Sequence, residues 1–250
     1  MRARLIRRML KRFRMLPIHP QWLLSAREER RALGRVLKPL RGRVLDIGCA
    51  GGRLRRYFSS EIKYIGLDYP DTALALYATR PDLYADARHL PIATASVDAV
   101  VLKDVLEHVP EPQCALDECA RVLRDGGKMV IWVPFIYPIH DAPYDFQRFT
   151  EHGLITCLDL AGFEVEYLQG QLKPVETAAL LGSLALADIM ETILTKYRVF
   201  VFLLPLLVLG VLIVNVLGKL IGLLPAGTFM PAFYRMQAVR RSRLSKDEGA

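Results

Sequence analysis

The stretch V-L-D-I-G-C-A-G-G-R, Val44 to Arg53, decides the fold. An apolar run carrying a single acid, Asp46, passes into small residues at positions 48, 50, 51 and 52. A strand that ends in such a turn and opens a helix is where an open α/β sheet holds its ligand, outside the carboxyl ends of the strands at the switch point. The small residues let the backbone approach that ligand closely. What kind of ligand depends on Asp46.

Outward from this turn the chain alternates apolar runs with helical stretches. Strands are expected at Arg43 to Ile47, Ile62 to Leu67, Asp82 to Tyr84, Val97 to Leu102 and Lys128 to Val133, with helices at Gly52 to Ser59, Thr72 to Ala78 and Cys114 to Leu123. This alternation predicts an α/β, Rossmann-like sheet with helices on both faces. Asp98 reads as a strand-boundary residue and Gly126-Gly127 as a tight turn.

Two ligands compete for the turn. A nicotinamide dinucleotide asks for G-x-G-x-x-G and sets a pyrophosphate against the helix amino terminus. Here Ala50 and Arg53 stand at the second and third glycine positions, and the Asp46 carboxylate would repel the phosphates. S-adenosylmethionine carries a sulfonium and an ammonium and no phosphate, so an acid at this spot attracts it.

The same segment resembles the D-x-G-x-G-x-G first motif of the class I S-adenosylmethionine-dependent methyltransferases, and the resemblance continues in order as a type 11-like branch. Tyr64-Ile65-Gly66-Leu67-Asp68 is similar to the second strand, whose terminal acid holds the ribose hydroxyls. Asp86-Ala87-Arg88-His89-Leu90-Pro91 is similar to the adenine-side loop. Val97 to Val101 with Asp104-Val105-Leu106-Glu107-His108-Val109 resembles the fourth strand and its succeeding helix, and Arg121 to Lys128 the turn before strand five. The resemblance implies a seven-stranded sheet, S-adenosylmethionine as cofactor, and cofactor contacts at Asp46, Gly48, Ala50, Gly52, Asp68, Asp86, Ala87 and Lys103. Ala50 departs from the family's usual glycine; its methyl would crowd the methionine moiety or restrict the turn. Glu107 and His108 read as packing and hydrogen-bonding groups beside the site.

Composition and charge bound the partners. The net charge is +8 over 250 residues, yet Met1 to Arg43 alone holds 14 Arg and Lys against two Glu, leaving the other 207 residues at about −4. A nucleic-acid groove would need basic and aromatic residues interleaved within the domain, so no nucleic-acid partner is expected. In M-R-A-R-L-I-R-R-M-L-K-R-F-R-M-L, placed on a helix, Leu5, Ile6, Met9, Leu10, Phe13 and Leu16 share one side and the cations the other. That segregation suits a helix lying in an anionic membrane surface. An Arg-rich transit peptide or a solvated helix has a similar pattern, whereas a secretory signal would need an uninterrupted apolar run. Cys49, Cys114, Cys119 and Cys157 form no C-x-x-C pair and do not cluster with histidine at ligand spacing, so reduced thiols and no metal are expected.

After strand five, H-D-A-P-Y-D-F-Q-R-F-T, His140 to Thr150, resembles the substrate-side loop of a methyltransferase branch often associated with cell-envelope glycan and lipid pathways. Thr150 is placed to cap the next helix. Methyl transfer is an in-line displacement in which the protein chiefly supplies alignment, but an oxygen acceptor must also lose a proton. His140, oriented by Asp141, is the candidate base; the alternative is that the loop only shapes the pocket.

Phe163 to Tyr167 reads as strand six and Phe229 to Val239 as strand seven, separated by a very apolar insertion. Val199 to Gly218 runs 20 residues without a charge, about 30 Å as a helix and enough to cross a bilayer. Thr177 to Ala187 reads as too short to span before Asp188 and Glu191. A single crossing would leave the seventh strand on the far side of the membrane. Three resolutions stand: a re-entrant or in-plane hairpin bent near Pro205 and Gly210, a true single span with strand seven misassigned, or a dimer interface or covered core. The expected divisions are a basic extension (1–39), the methyltransferase domain (40–170 with 228–240), the insertion (171–227) and a polar tail (241–250). The expectation overall is methyl transfer to a lipid-linked, membrane-proximal or small-molecule acceptor at the cytoplasmic face of a membrane. A catalytically silent, membrane-tethered cofactor-binding module is the alternative.

Overall fold

A computed structural model describes residues 14–242. The amphipathic helix expected over Met1 to Leu16 therefore lies almost wholly outside the described residues, as does most of the polar tail. The described residues divide into two compact units: residues 33–171 with 233–242, and residues 14–32 with 172–232. Helix α1, Ala26–Leu37, opens with Glu28 and Glu29 in its first turn, where the helix dipole favours acids.

The first unit is built on strands β1 (Arg43–Ile47), β2 (Lys63–Asp68), β3 (Leu83–Tyr84), β4 (Val97–Lys103), β5 (Leu123–Pro134), β6 (Phe163–Gln171) and β7 (Phe233–Arg240). They form one seven-stranded sheet in the order β3-β2-β1-β4-β5-β7-β6. The pairs from β3 through β5 are parallel, and β7 runs antiparallel to both β5 and β6. The order reverses between β1 and β4, which creates the crevice at their carboxyl ends. Strands buried on both faces read as near-continuous apolar runs. Accordingly Val44, Leu45, Val100, Val101, Leu102 and Val133 are fully buried.

Three details differ from the expected elements. No α-helix forms over Gly52 to Ser59; Gly48, Ala50 and Gly52 all take positive φ, and only a 3-10 turn, Arg55–Tyr57, comes after them. Three left-handed residues in five use up the stretch in which a helical ladder would have started. Thr72–Tyr77 is a π-helical turn, closed by Ala78 in the left-handed region. Strand β5 begins at Leu123 rather than Lys128: Leu123 pairs with Val97 and Lys128 with Ala99, so the intervening residues bulge. The turn character expected of Gly126-Gly127 survives in that bulge, since a methyl on Gly127 would stand 2.7 Å from the Arg124 carbonyl oxygen. Asp98, early in β4, accepts from the Arg43 backbone N–H at 2.7 Å and from the Arg124 guanidinium at 2.5 Å. Helices α2 (Pro112–Val122) and α3 (Glu151–Leu160) complete the unit, and the Thr150 hydroxyl caps α3 by accepting from Gly153 N–H at 3.1 Å.

In the second unit, α4 (Pro174–Thr195) and α5 (Leu204–Ile221) form a helical hairpin. By length and composition, α4 and the helical run Arg198–Ile221 that contains α5 are each long and apolar enough to cross a membrane. The first is 22 residues, about 33 Å, because Asp188 and Glu191 lie within it instead of ending it. A 3-10 turn, Arg198–Leu203, leads directly into α5, so the bend between the two helices precedes it and is not at Pro205 or Gly210. Pro205 occupies the first turn of α5, where a missing N–H is harmless, and the helix runs unbroken through Gly210. Buried Asn215 ties the unit together: its Oδ1 accepts from the Ser183 hydroxyl at 2.9 Å, and its Nδ2 donates to the carbonyls of Pro17 at 2.7 Å and His19 at 3.0 Å. Val199, Phe202 and Leu206, around the reversal, are 74%, 69% and 65% exposed.

Strand β7 is a full member of the sheet, so the seventh strand is not misassigned. Residues 172–232 leave and rejoin the sheet at Gln171 and Phe233, which are register partners.

Candidate functional site

The turn after β1 is shaped by contacts no larger side chain would allow. At Gly48, φ is +69° and a methyl group would stand 2.4 Å from Val105 Cγ2, so the turn and the segment after β4 are in direct contact. The N–H groups of Gly48 and Cys49 both donate to the Leu67 carbonyl, at 2.8 and 3.1 Å, bringing the end of β2 beside them. Ala50 sits at φ +48° and donates its N–H to Asp68 Oδ2 at 2.8 Å. The backbone at 50 is therefore the one a glycine would adopt, and alanine holds it at a cost of about 1–2 kcal/mol. The Asp68 hydrogen bond offsets part of that. Gly52, at φ +64°, closes the turn.

Two acids flank it. Asp46 is 1% exposed and accepts from the Tyr64 hydroxyl at 2.6 Å. Burial pushes its carboxyl up to about 7; the Tyr64 hydrogen bond opposes this, the neighbouring Asp68 charge adds to it and Lys103 pulls it back. Asp68, at the end of β2, accepts from the N–H of Ala50 and, at Oδ1, from the N–H of Tyr69 at 2.8 Å. Burial raises its carboxyl too, against the pull of those N–H groups. Each carboxylate oxygen has two lone pairs, so Asp68 retains acceptor capacity for a diol. Lys103 acts on Asp46 through its charge, and a further cation beside the acid pair would favour both ionised forms.

The remaining expected cofactor residues surround this turn. Asp86 lies in the loop after β3, but its carboxylate grips Arg88, accepting from that residue's backbone N–H at 2.9 Å and its guanidinium at 2.7 Å, which holds it below the usual carboxylate range. Ala87 beside it is buried. Lys103 ends β4, its ammonium paired with Asp104 and 6.0 Å from the Trp132 ring centre.

A second group of side chains lies in the segment past β4 and the loop past β5. Glu107, on the 3-10 turn Leu106–His108, is 0% exposed, and neither carboxylate oxygen has a hydrogen-bond partner among the described residues. Its carboxyl is raised well above the ordinary range by burial, with the Asp104 charge adding. His108 Nδ1 is 2.7 Å from the Tyr144 carbonyl oxygen; a carbonyl only accepts, so Nδ1 carries a proton, and in the neutral ring the lone pair is on Nε2. His140 Nδ1 lies 3.2 Å from Asp145 Oδ2, the same oxygen that accepts from the His140 backbone N–H at 2.8 Å. Arg148 clamps Asp145 with two bonds of 2.6 and 2.7 Å. Against burial, which acts upward, these donors bring the Asp145 carboxyl down to about 2. His140 therefore also holds its Nδ1 proton, and both imidazole Nε2 atoms stand 3.9 Å from Glu107 Oε1.

Two expectations are corrected here. Asp141 does not orient His140: it accepts from the Tyr77 hydroxyl at 2.6 Å, and Asp145 takes the place beside the imidazole. Asp141 and Asp145 both lie within five residues of His140, so spacing alone could not choose; the i,i+3 relation of Asp145 to Arg148 was the available signal. Glu107 is packed beside the site as expected, but no other described residue hydrogen-bonds its carboxylate oxygens. The Gln147 side chain fastens the loop by donating to the carbonyls of Leu106 at 3.2 Å and Val109 at 2.6 Å.

Comparison with known proteins agrees with this geometry. Residues 45–131 match the family described as "Methyltransferase domain". A probable S-adenosylmethionine-dependent methyltransferase of Mycolicibacterium smegmatis is 34% identical over 135 residues, 49% of this chain and 52% of that protein. A ubiquinone biosynthesis O-methyltransferase of Paracidovorax citrulli is 37% identical over 111 residues, 40% of this chain and 45% of that protein. The chain thus spans about half the length of these curated relatives. Among solved structures, an S-adenosylmethionine-dependent methyltransferase from Archaeoglobus fulgidus matches with a TM-score of 0.55 at 19% identity, covering 88% of this chain and 97% of that one, which is a likeness of fold.

The sheet order and the glycine turn with its two acids are those of the class I methyltransferase fold, and residues 45–131 match the methyltransferase-domain family. The matching relatives are named as S-adenosylmethionine-dependent or O-methyltransferases, and the two buried acids beside the turn suit a cationic cofactor of that kind.

Proposed function

We propose that this chain transfers a methyl group from S-adenosylmethionine to a hydroxyl oxygen of a lipid-linked or membrane-proximal acceptor, in cell-envelope glycan or lipid metabolism. The supporting observation is the juxtaposition of two sites at the reversal of the sheet. One is an acid pair, Asp46 and Asp68, suited to a cationic cofactor. The other, across the Gly48–Val105 contact, is a pair of imidazoles with Nε2 lone pairs beside a buried carboxylate. In this reading Asp68 holds the ribose hydroxyls, Asp46 favours the cationic methionine end, and the turn backbone lies against the cofactor. Asp86 and Ala87 border the adenine side, and Lys103 balances the two acids. The acceptor proton leaves at the imidazole cluster, with His140 Nε2 as the basic atom and Asp145 as its orienting group. That one relative is named as an O-methyltransferase agrees with an oxygen acceptor.

The membrane half of the proposal rests on α4 and α5, whose exposed apolar reversal suits a hairpin entering a bilayer from one side. Both ends then remain on the face that carries the sheet, the cytoplasmic face, and the basic amino-terminal extension adds a second contact with anionic lipid.

The test is transfer of label from methyl-labelled S-adenosylmethionine to a membrane lipid extract, with Asp68→Ala as control. Label in the lipid fraction that disappears with Asp68→Ala is the expected result. Cofactor binding without any transfer would instead identify a silent tethered module, and no cofactor binding by the wild type would overturn the proposal. In vesicles, protease added to the side that digests the sheet should also reach residues beyond 235; a protected tail would sink the hairpin.

A further inference from the structure

We infer that Glu107, His108 and His140 form a binding site for one first-row divalent metal ion of the zinc type. One ligand atom from each, a carboxylate oxygen and two imidazole nitrogens, lies within 4.8 Å of the other two. Bonds of about 2.1 Å would set tetrahedral ligands about 3.4 Å apart, so a contraction of roughly half an ångström from the observed 3.9 Å would close the Glu107–histidine pairs on an ion.

Three features separate this cluster from a chance meeting of polar side chains. Glu107 is fully buried with both oxygens unpartnered, an arrangement costly to keep unless something binds there. Each histidine has its Nδ1 tied back, His108 to the Tyr144 carbonyl at 2.7 Å and His140 to the Pro138 carbonyl at 3.3 Å with Asp145 Oδ2 3.2 Å away, which favours the tautomer that presents Nε2 as a ligand. Such second contacts are what metal-ligating histidines characteristically make. Asp145 is itself held by Arg148, so the support extends one layer further.

Two imidazoles and one carboxylate suit Zn2+, Co2+, Fe2+ or Mn2+ rather than Mg2+ or Ca2+, which prefer all-oxygen sets. Three protein ligands leave at least one position open, the mark of a catalytic rather than a structural site. The inference deepens the proposed function without depending on it for geometry. An ion here would hold the acceptor oxygen and stabilise it as an alkoxide, its proton passing to solvent water; His140 would then be a ligand and not the base.

The experiment strips full-length protein with chelator, dialyses it against Zn2+, Co2+ or Mg2+, and measures bound metal alongside S-adenosylmethionine binding by calorimetry. Expected are one Zn2+ per chain, a visible d–d absorption with Co2+, and no stoichiometric Mg2+. Glu107→Gln and His140→Ala should each weaken Zn2+ binding at least about 10-fold and abolish the Co2+ spectrum, with cofactor binding retained. His140, on a partly exposed loop, keeps the test decisive if Glu107→Gln fails to fold. Wild type that binds cofactor but no Zn2+, or variants that hold Zn2+ as wild type does, would overturn the site. Loss of cofactor binding by the wild type would overturn only the methyltransferase proposal.

Discussion

The Tyr64 hydroxyl donates a 2.6 Å hydrogen bond to Asp46 Oδ2, joining adjacent strands beneath the glycine turn. This bond keeps an acid available in a place where burial works against ionisation. Tyr64→Phe removes it without changing shape. Hydrogen bonds to charged groups contribute about 1.5–3 kcal/mol, so S-adenosylmethionine affinity at neutral pH should fall about 10-fold or more. Calorimetric titration checks this; unchanged affinity would mean that Asp46 does not act through its charge.

Asp46 also predicts opposite pH dependences for stability and for binding. Its folded-state carboxyl is raised from 3.8 to about 7. The native state therefore binds a proton that the unfolded chain releases, and that stabilisation is complete below about 4 and lost as pH rises through about 7. At most it amounts to about 4 kcal/mol. Cofactor binding, which favours the carboxylate, should weaken as pH falls below about 7. Denaturant unfolding and cofactor titration across this range should show both slopes in wild type and shallower ones in Asp46→Asn, where the raised carboxyls of Asp68 and Glu107 remain.

At Gly48 the constraint is steric. Gly48→Ala places a methyl 2.4 Å from Val105 Cγ2 at a φ of +69°, and should destabilise the fold by about 2–3 kcal/mol while abolishing cofactor binding. Val105→Ala in the same chain should restore part of the stability, because it removes the clash and leaves only the backbone strain. A double-mutant cycle with no coupling between the two positions would contradict the contact.

Asn215 predicts a stability effect confined to the helical hairpin and its amino-terminal partner segment. Asn215→Leu leaves the Pro17 and His19 carbonyls and the Ser183 hydroxyl unsatisfied, at about 1–3 kcal/mol for each buried group. Amide exchange should accelerate across residues 17–24 and α4, with S-adenosylmethionine affinity unchanged.

The strands are the legible part of this chain. Apolar runs bounded by glycine and charge locate β1 to the residue, and β7 to within a few, because both depend on local pattern. Helix α4 is longer than its uncharged run suggests, since Asp188 and Glu191 interrupt that run without breaking a helix. The cofactor turn can be read because its acid and small residues are contiguous. The Glu107–His140 relation cannot: 33 positions separate them, and only the neighbouring placement of β4 and β5 brings their nitrogen and oxygen to 3.9 Å. Burial is equally invisible in the sequence, and it is burial without a partner that makes Glu107 informative.

The register pairing of Gln171 with Phe233 means that the sheet sees residues 172–232 only as a long β-hairpin loop. Loop closure becomes more costly only slowly with length, each doubling adding about 0.6 kcal/mol. Anything compact that starts and finishes side by side would satisfy the same two strands. The strand pairing therefore constrains the hairpin only at one doorway in the sheet, and leaves its length and composition independent of the turn at the β1–β4 junction.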